Sequence, residues 1–191
     1  MLDSLSTQTV KNQILDAAST IVARKGAVHL TFDALVTETG MSKGGILYHF
    51  RNKEALLQAM VDRMIDRFET HRDRIKEKET DAALPNAMTY ILASHTKDAE
   101  EYQSDLGVLA AAANNPTLLE PLREHYRRNF NVARVDKTHV GLDTLLHLAM
   151  DGFWLLSALG LNFSTPSQTK AMLKTAIALA KYGHFNQQEE T

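Results

Sequence analysis

The sequence predicts an all-α fold of about nine helices, with a three-helix N-terminal unit and a larger helical C-terminal region. Three observations carry this. Only four prolines and nine glycines punctuate 191 residues, which leaves long segments free to run as helices. Within those segments apolar side chains recur every three to four residues. No segment shows the two-residue alternation of a half-buried strand. At 44% hydrophobic and 23% charged residues, with a mean hydropathy of -0.25, the chain is ordinary globular material, long enough to bury a core without staples.

The first helix takes its stripe from Ile14, Leu15, Ala18, Ile21 and Val22 and stops at Gly26, with Ser6, Thr7 and Thr9 as candidate caps. A short second helix follows Thr31, whose hydroxyl suits an N-cap, and ends at Gly40. Ser42 caps a third, running from Lys43 to about Phe50, and Asn52 caps a long fourth, in which Leu56, Leu57, Met60, Val61, Met64, Ile65 and Phe68 keep the helical period. The mixed charge from Asp62 to Asp81 reads as a solvated face. Pro85 suits the first turn of a fifth helix, Glu100 to Asn114 forms a sixth broken at Asn115-Pro116, and Leu118, Leu119, Leu122, Tyr126 and Phe130 mark a seventh. The last two, 140–161 and 170–182, are apolar on more than one face and therefore need a covering partner. A domain boundary is expected after residue 53, giving units 1–53 and 54–191.

Composition excludes several functions. No cysteine is present, which removes disulfide scaffolds, thiol nucleophiles and cysteine-bearing zinc sites and suits a reducing, cytoplasmic setting. No run approaches the roughly 20 apolar residues of a membrane span, and residues 1–9 lack the form of a secretory signal. A net charge of -2 argues against indiscriminate coating of nucleic acid, although residues 1–53 carry six basic against four acidic side chains. The eight histidines never fall three to five residues apart, and no metalloprotease, phosphate-loop, nucleophile-elbow or dinucleotide signature occurs. A helical enzyme is thus the weakest of the functional classes, and neither metal nor cofactor is expected.

The informative segment is Thr39-Gly40-Met41-Ser42, a tight glycine turn between two short helices. Such a helix-turn-helix braces its first helix on the phosphate backbone and enters the major groove with its second. Gly40 suits the positive φ of the turn, and Lys43 follows at the groove end. Gly44 and Gly45 each give up about 1 kcal/mol of helix propensity relative to alanine, so two in succession imply that DNA approaches too closely for side chains. Tyr48 and His49 lie one turn on, and Lys53 opens the fourth helix, all placed for phosphates. Phe50 is expected in the core, Tyr48 on the polar flank, and His49 suits either place.

Taken together, Ile14-Leu15-x-Ala17-Ala18, Gly26, Thr31-Phe32-x-Ala34-Leu35-Val36 and the block Thr39-Gly40-Met41-Ser42-Lys43-Gly44-Gly45-Ile46-Leu47-Tyr48-His49-Phe50-x-Asn52-Lys53-Glu54-x-Leu56 resemble the tetracycline-repressor (TetR/AcrR) family of transcriptional regulators. The resemblance covers residues 8–57. It implies an N-terminal DNA-binding unit and a C-terminal domain that dimerises and binds a small effector, mostly in repressors. Carried over by motif position, the DNA contacts are Thr31, Ser42, Lys43, Gly44, Gly45, Tyr48, His49 and Lys53. Two departures stand out: Thr39 replaces the usual alanine, and the arm before Lys11 has no basic residue for the minor groove.

For the effector, an adaptable, Met-rich and aromatic interior of Met64, Phe68, Met88, Ile91, His95, Tyr126, Phe130, Met150, Phe153 and Trp154 suits an apolar or aromatic small molecule, with plain core as the alternative. His95, His147 and Asp151 are the candidate charges within it. For a homodimer, Leu145, Leu148, Ala149, Gly152, Leu156 and Leu159 form one helical face, and Ala171, Ile177 and Ala178 a second. The expected whole is a cytoplasmic, dimeric repressor of a near-palindromic duplex DNA operator, released by its effector. The rival is a DNA-binding regulator with a side-chain-filled interior, controlled by a protein partner.

Overall fold

The computed structural model describes the backbone of residues 2–78, 86–94, 99–113, 115–135 and 140–185, and the side chains of 8–78, 87–94, 101, 103–113, 115–129 and 141–181. Among the described residues there are nine α-helices and no strand, as the sparse punctuation predicts. They are α1 (Leu2–Lys25), α2 (Phe32–Thr39), α3 (Lys43–His49), α4 (Lys53–Lys78), α5 (Asn86–Ser94), α6 (Ala99–Ala113), α7 (Glu120–Val135), α8 (Val140–Ala158) and α9 (Pro166–Phe185), with short 3-10 turns at Ala27–His29 and Pro116–Leu119. Because α1 already begins at Leu2, Ser6, Thr7 and Thr9 lie inside it and none caps it. Pro85 and the stretch 136–139 lie outside the described residues.

The chain divides into two compact units. The first comprises residues 1–64 and 98–122, the second 65–97 and 123–191. α6 and the 3-10 turn after it join the N-terminal helices in the first unit, and α4 contributes residues to both units.

In the first unit, Ile14, Ala18, Leu35, Ile46, Phe50, Leu56 and Val61 are buried and hold α1 to α4 together. Gly40 ends α2 in the left-handed region at φ 70°, its N–H donating to the Val36 carbonyl, a conformation that favours glycine. α6 adds Val108 and Ala112 to this core. A β-carbon on Gly107 would overlap Val22 Cγ1, so glycine permits the approach of α6 to α1. Arg63 of α4 ties back to α1, donating to Asp16 at 2.6 Å, the Leu15 carbonyl at 2.8 Å and Ser19 at 2.7 Å.

The second unit has its own core of Ala87, Met88, Tyr90 and Ile91 from α5, Leu146 and Met150 from α8, and Leu173, Ala176 and Ala180 from α9. Here the reading of 62–81 as a solvated face fails at Arg72, which is buried and donates to Asn129 at 2.6 Å.

Candidate nucleic-acid interface

Local sequence chemistry sets α2 and α3 in place. The Thr31 hydroxyl accepts from the Ala34 N–H at 3.1 Å, the Ser42 hydroxyl from the Gly45 N–H at 3.1 Å, and the Asn52 amide oxygen from the Ala55 N–H at 2.8 Å. These satisfy donors that the first turn of each helix leaves open. Thr39, the departure from the usual alanine, turns its hydroxyl back to the Leu35 carbonyl at 2.7 Å and accepts from the Met41 N–H at 3.2 Å. It therefore stiffens the turn from inside.

Around this turn, Thr31, Ser42, Lys43, Gly44, Gly45, Tyr48 and Lys53 are all exposed, and His49 is half-buried. Tyr48 is 82% exposed despite its ring and meets the His49 ring edge to face at a 5.2 Å centroid distance. Phe50, by contrast, is buried at the end of α3. The two lysines are held by the protein itself: Lys43 Nζ lies 2.8 Å from Asp33 Oδ1, and Lys53 Nζ donates to the Ala27 carbonyl at 3.1 Å. Both ties are on the surface, where an exposed ion pair or a single hydrogen bond is worth about 1 kcal/mol or less, so a phosphate can take either ammonium group. Thr31 and Lys53 also border an apolar hollow of about 250 Å³ with Leu30, Phe32 and Leu56.

The glycines are informative because neither takes a positive φ and, among the described residues, no neighbour crowds the site of a β-carbon at Gly44. A β-carbon on Gly44 would meet no atom within 4 Å, and one on Gly45 would meet only Ser42 Oγ at 3.2 Å. The propensity lost at Gly44 is thus not recovered by packing within the first unit.

The proposed effector residues scatter across distinct environments. Met88, Ile91 and Met150 are sealed in the core of the second unit, Phe68, Tyr126, Phe153 and Trp154 are half-buried, and Met64 belongs to the first unit. His95 and the Phe130 side chain lie outside the described residues. Two polar clusters surround these rings, and of their members the sequence marked only Asp151 and Tyr126. In one, Tyr90 donates to Asp151 at 2.5 Å. Burial, together with the charge of Asp151, pushes the Tyr90 and Tyr126 hydroxyls well above the usual phenol range, so both stay protonated. In the other, Glu69 lies 3.0 Å from His125 Nδ1 and 3.3 Å from Arg72. The close approach of His125 and the positive charge of Arg72 together outweigh burial and bring the Glu69 carboxyl down to about 2. A tyrosine among the apolar residues Met88, Ile91 and Leu92 of α5 was the available signal, since a buried phenol needs a partner.

The proposed dimer faces lie at the surface of the second unit: Leu145, Leu148, Ala149, Leu156 and Leu159 on α8 and just after it, and Ala171 and Ala178 on α9, are exposed, while Gly152 and Ile177 are half-buried. Leu145 and Leu148 are 62% and 58% exposed.

Comparison with known proteins matches the sequence model described as "Tetracyclin repressor-like, C-terminal domain" over residues 85–181, half of the chain, and that of "Bacterial regulatory proteins, tetR family" over 14–60. The HTH-type transcriptional regulator TtgR of Pseudomonas putida is 30% identical over 74 residues, 39% of this chain and 34% of its own length; the match thus spans about a third of that relative. Solved structures share the fold. A TetR-family regulator from Rhodococcus sp. superposes with a TM-score of 0.69 at 18% identity, covering 89% of this chain and 97% of its own. A transcriptional regulator from Saccharomonospora viridis in complex with choline does so with 0.71 at 20% identity, covering 90% and 96%. With both its N-terminal and its C-terminal parts matched, the chain belongs to the tetracycline-repressor family, whose members are transcriptional regulators rather than enzymes.

Proposed function

We propose that this protein is a cytoplasmic repressor that binds a near-palindromic operator as a homodimer through α3 and leaves it when a small molecule occupies the second unit. The observation that carries the DNA-binding half is the pair Gly44-Gly45, exposed at the start of α3 with open space where a β-carbon would stand at Gly44. Bare backbone there admits a phosphate or base edge that any side chain would hold off. Ser42 and Lys43 on one side and Tyr48 and His49 one turn later supply the polar groups, with Thr31 and Lys53 reaching the flanking backbone. Among the described residues no helix is long and apolar enough to cross a membrane.

The homodimer rests on the exposed leucines of α8, which a monomer would leave in water. A two-fold axis through such faces sets two copies of α3 about one DNA turn, or a multiple of it, apart, so each reads half of an inverted repeat. The choline complex of the Saccharomonospora viridis relative supports a small-molecule effector. One continuous helix, α4, carries residues of both units and is the element along which effector binding changes the separation of the recognition helices.

Selection of bound sites from a randomised duplex pool, at near-physiological salt, tests the proposal. An enriched inverted repeat supports it; a folded dimer that enriches no sequence contradicts it.

A further inference from the structure

We infer that the ligand of the second unit is an organic cation, an ammonium head group held between the Asp151 carboxylate and the surrounding rings of Phe68, Tyr90, Tyr126 and Trp154. The inference builds on the effector reading above and fixes the charge of the effector. Asp151 lies on α8 between His147, one turn before, and Trp154, one turn after, on a single helical face. Tyr90 from α5 donates to its carboxylate at 2.5 Å, and the Tyr126 hydroxyl from α7 feels the same negative charge. Both tyrosines are neutral phenols. Among the described residues no lysine or arginine pairs with this carboxylate; Arg72, the buried cation of the unit, is engaged with Glu69 and Asn129 instead.

His147 does not supply the missing positive charge. Its Nδ1 lies 2.7 Å from the Asp143 carbonyl, and burial lowers its basicity, which keeps the ring neutral with its proton on Nδ1. The ring packs on Tyr90 at a 4.2 Å centroid distance, and Phe68 packs on Tyr90 at 5.1 Å. These aromatic faces already attract a cation: the Arg72 guanidinium sits 5.9 Å from the Phe68 centroid. The floor of the site, Tyr90 and His147, is buried, whereas Asp151, Tyr126, Phe68 and Trp154 keep partial exposure and can be reached.

Two tyrosines seeking an acceptor need no charge, since an amide oxygen would serve. A carboxylate partly withdrawn from water without a counter-ion is costly, and a ligand cation relieves that cost. The same arrangement repels an anion and leaves a neutral hydrocarbon with no electrostatic partner. An ammonium that retains N–H groups can donate directly to Asp151, and a quaternary one relies on the rings.

The test is calorimetric titration of the full chain with three aromatic ligands of similar size: benzyltrimethylammonium, its neutral isostere neopentylbenzene, and the anion phenylacetate. The cation is expected to bind at least tenfold more tightly than either other ligand, and Asp151→Asn, which keeps the shape and an acceptor for Tyr90, to lose at least tenfold in cation affinity. Equal or tighter binding of phenylacetate or neopentylbenzene, no binding of the cation at millimolar concentration, or unchanged cation affinity in the variant would overturn the inference. Should Asp151→Asn fail to fold, the ligand series on the parent chain decides alone. Operator occupancy, measured alongside, separates the two claims. Release by phenylacetate without a cation response sinks the cation and keeps the effector; cation binding without release keeps the site and sinks its regulatory role.

Discussion

His125 receives a hydrogen bond from the Asn129 amide at Nε2, 3.0 Å away, while its Nδ1 faces Glu69 at 3.0 Å. Arg72 closes the ring by donating to both Asn129 and Glu69. The His125 ring lies between these two neighbours, so α4 and α7 meet through polar side chains inside the second unit. Glu69 is the acid whose titration governs the circuit. Its carboxyl is depressed from 4.5 to about 2, so its stabilisation is present in full above about pH 4.5 and is lost as the pH falls towards 2. Because the Glu69 side chain is still 36% exposed, water screens the pairs. We expect Glu69→Gln to cost about 1 kcal/mol at pH 7. Urea unfolding of parent and variant across pH 7 to 2 checks this: the difference is expected to shrink through that acid range, and a difference independent of pH would contradict the assignment.

At the scale of elements, the approach of α6 to α1 depends on Gly107. With its would-be β-carbon overlapping Val22 Cγ1, and Val22 buried, Gly107→Ala is expected to destabilise the chain by about 1–3 kcal/mol despite the better helix propensity of alanine. Adding Val22→Ala to Gly107→Ala should recover part of the loss in thermal melting; a double variant no more stable than the sum of the two single losses would show that the contact is not the cause. This contact also shows where sequence legibility ended. The ends of α2 and α3 were readable because their signals are local: Thr31, Ser42 and Asn52 cap within three residues, and Gly40 ends α2 one residue past its last turn. The apolar residues of α6 indicate that it packs but not against what, so its place beside α1 was hidden. The same reason hid Arg63 and Arg72. A charged residue in a mixed run reads as solvated unless its partner is visible, and theirs lie 47 and 57 residues away. Tyr48 was legible because its neighbours Ile46 and Phe50 take the inner face of α3 and leave it outside.

For the whole molecule, reading an inverted repeat requires two copies. A charge placed among the exposed leucines of α8, as in Leu148→Glu, should shift the sedimenting species from twice 21.3 kDa to the single chain at micromolar concentration, and weaken operator binding by at least tenfold because one half-site no longer helps the other. A variant that remains dimeric would move the interface elsewhere. The claim on which the functional account turns is that DNA presses against the bare backbone at the start of α3, and Gly44→Ala tests it most directly, measured for melting temperature and for affinity to the duplex enriched by selection. Open space around Gly44 and the helix propensity of alanine predict a chain stabilised by up to about 1 kcal/mol that nevertheless binds the enriched duplex at least tenfold more weakly. A stabilised variant with undiminished affinity for the duplex would contradict the account, since the added methyl group would then stand where no DNA comes.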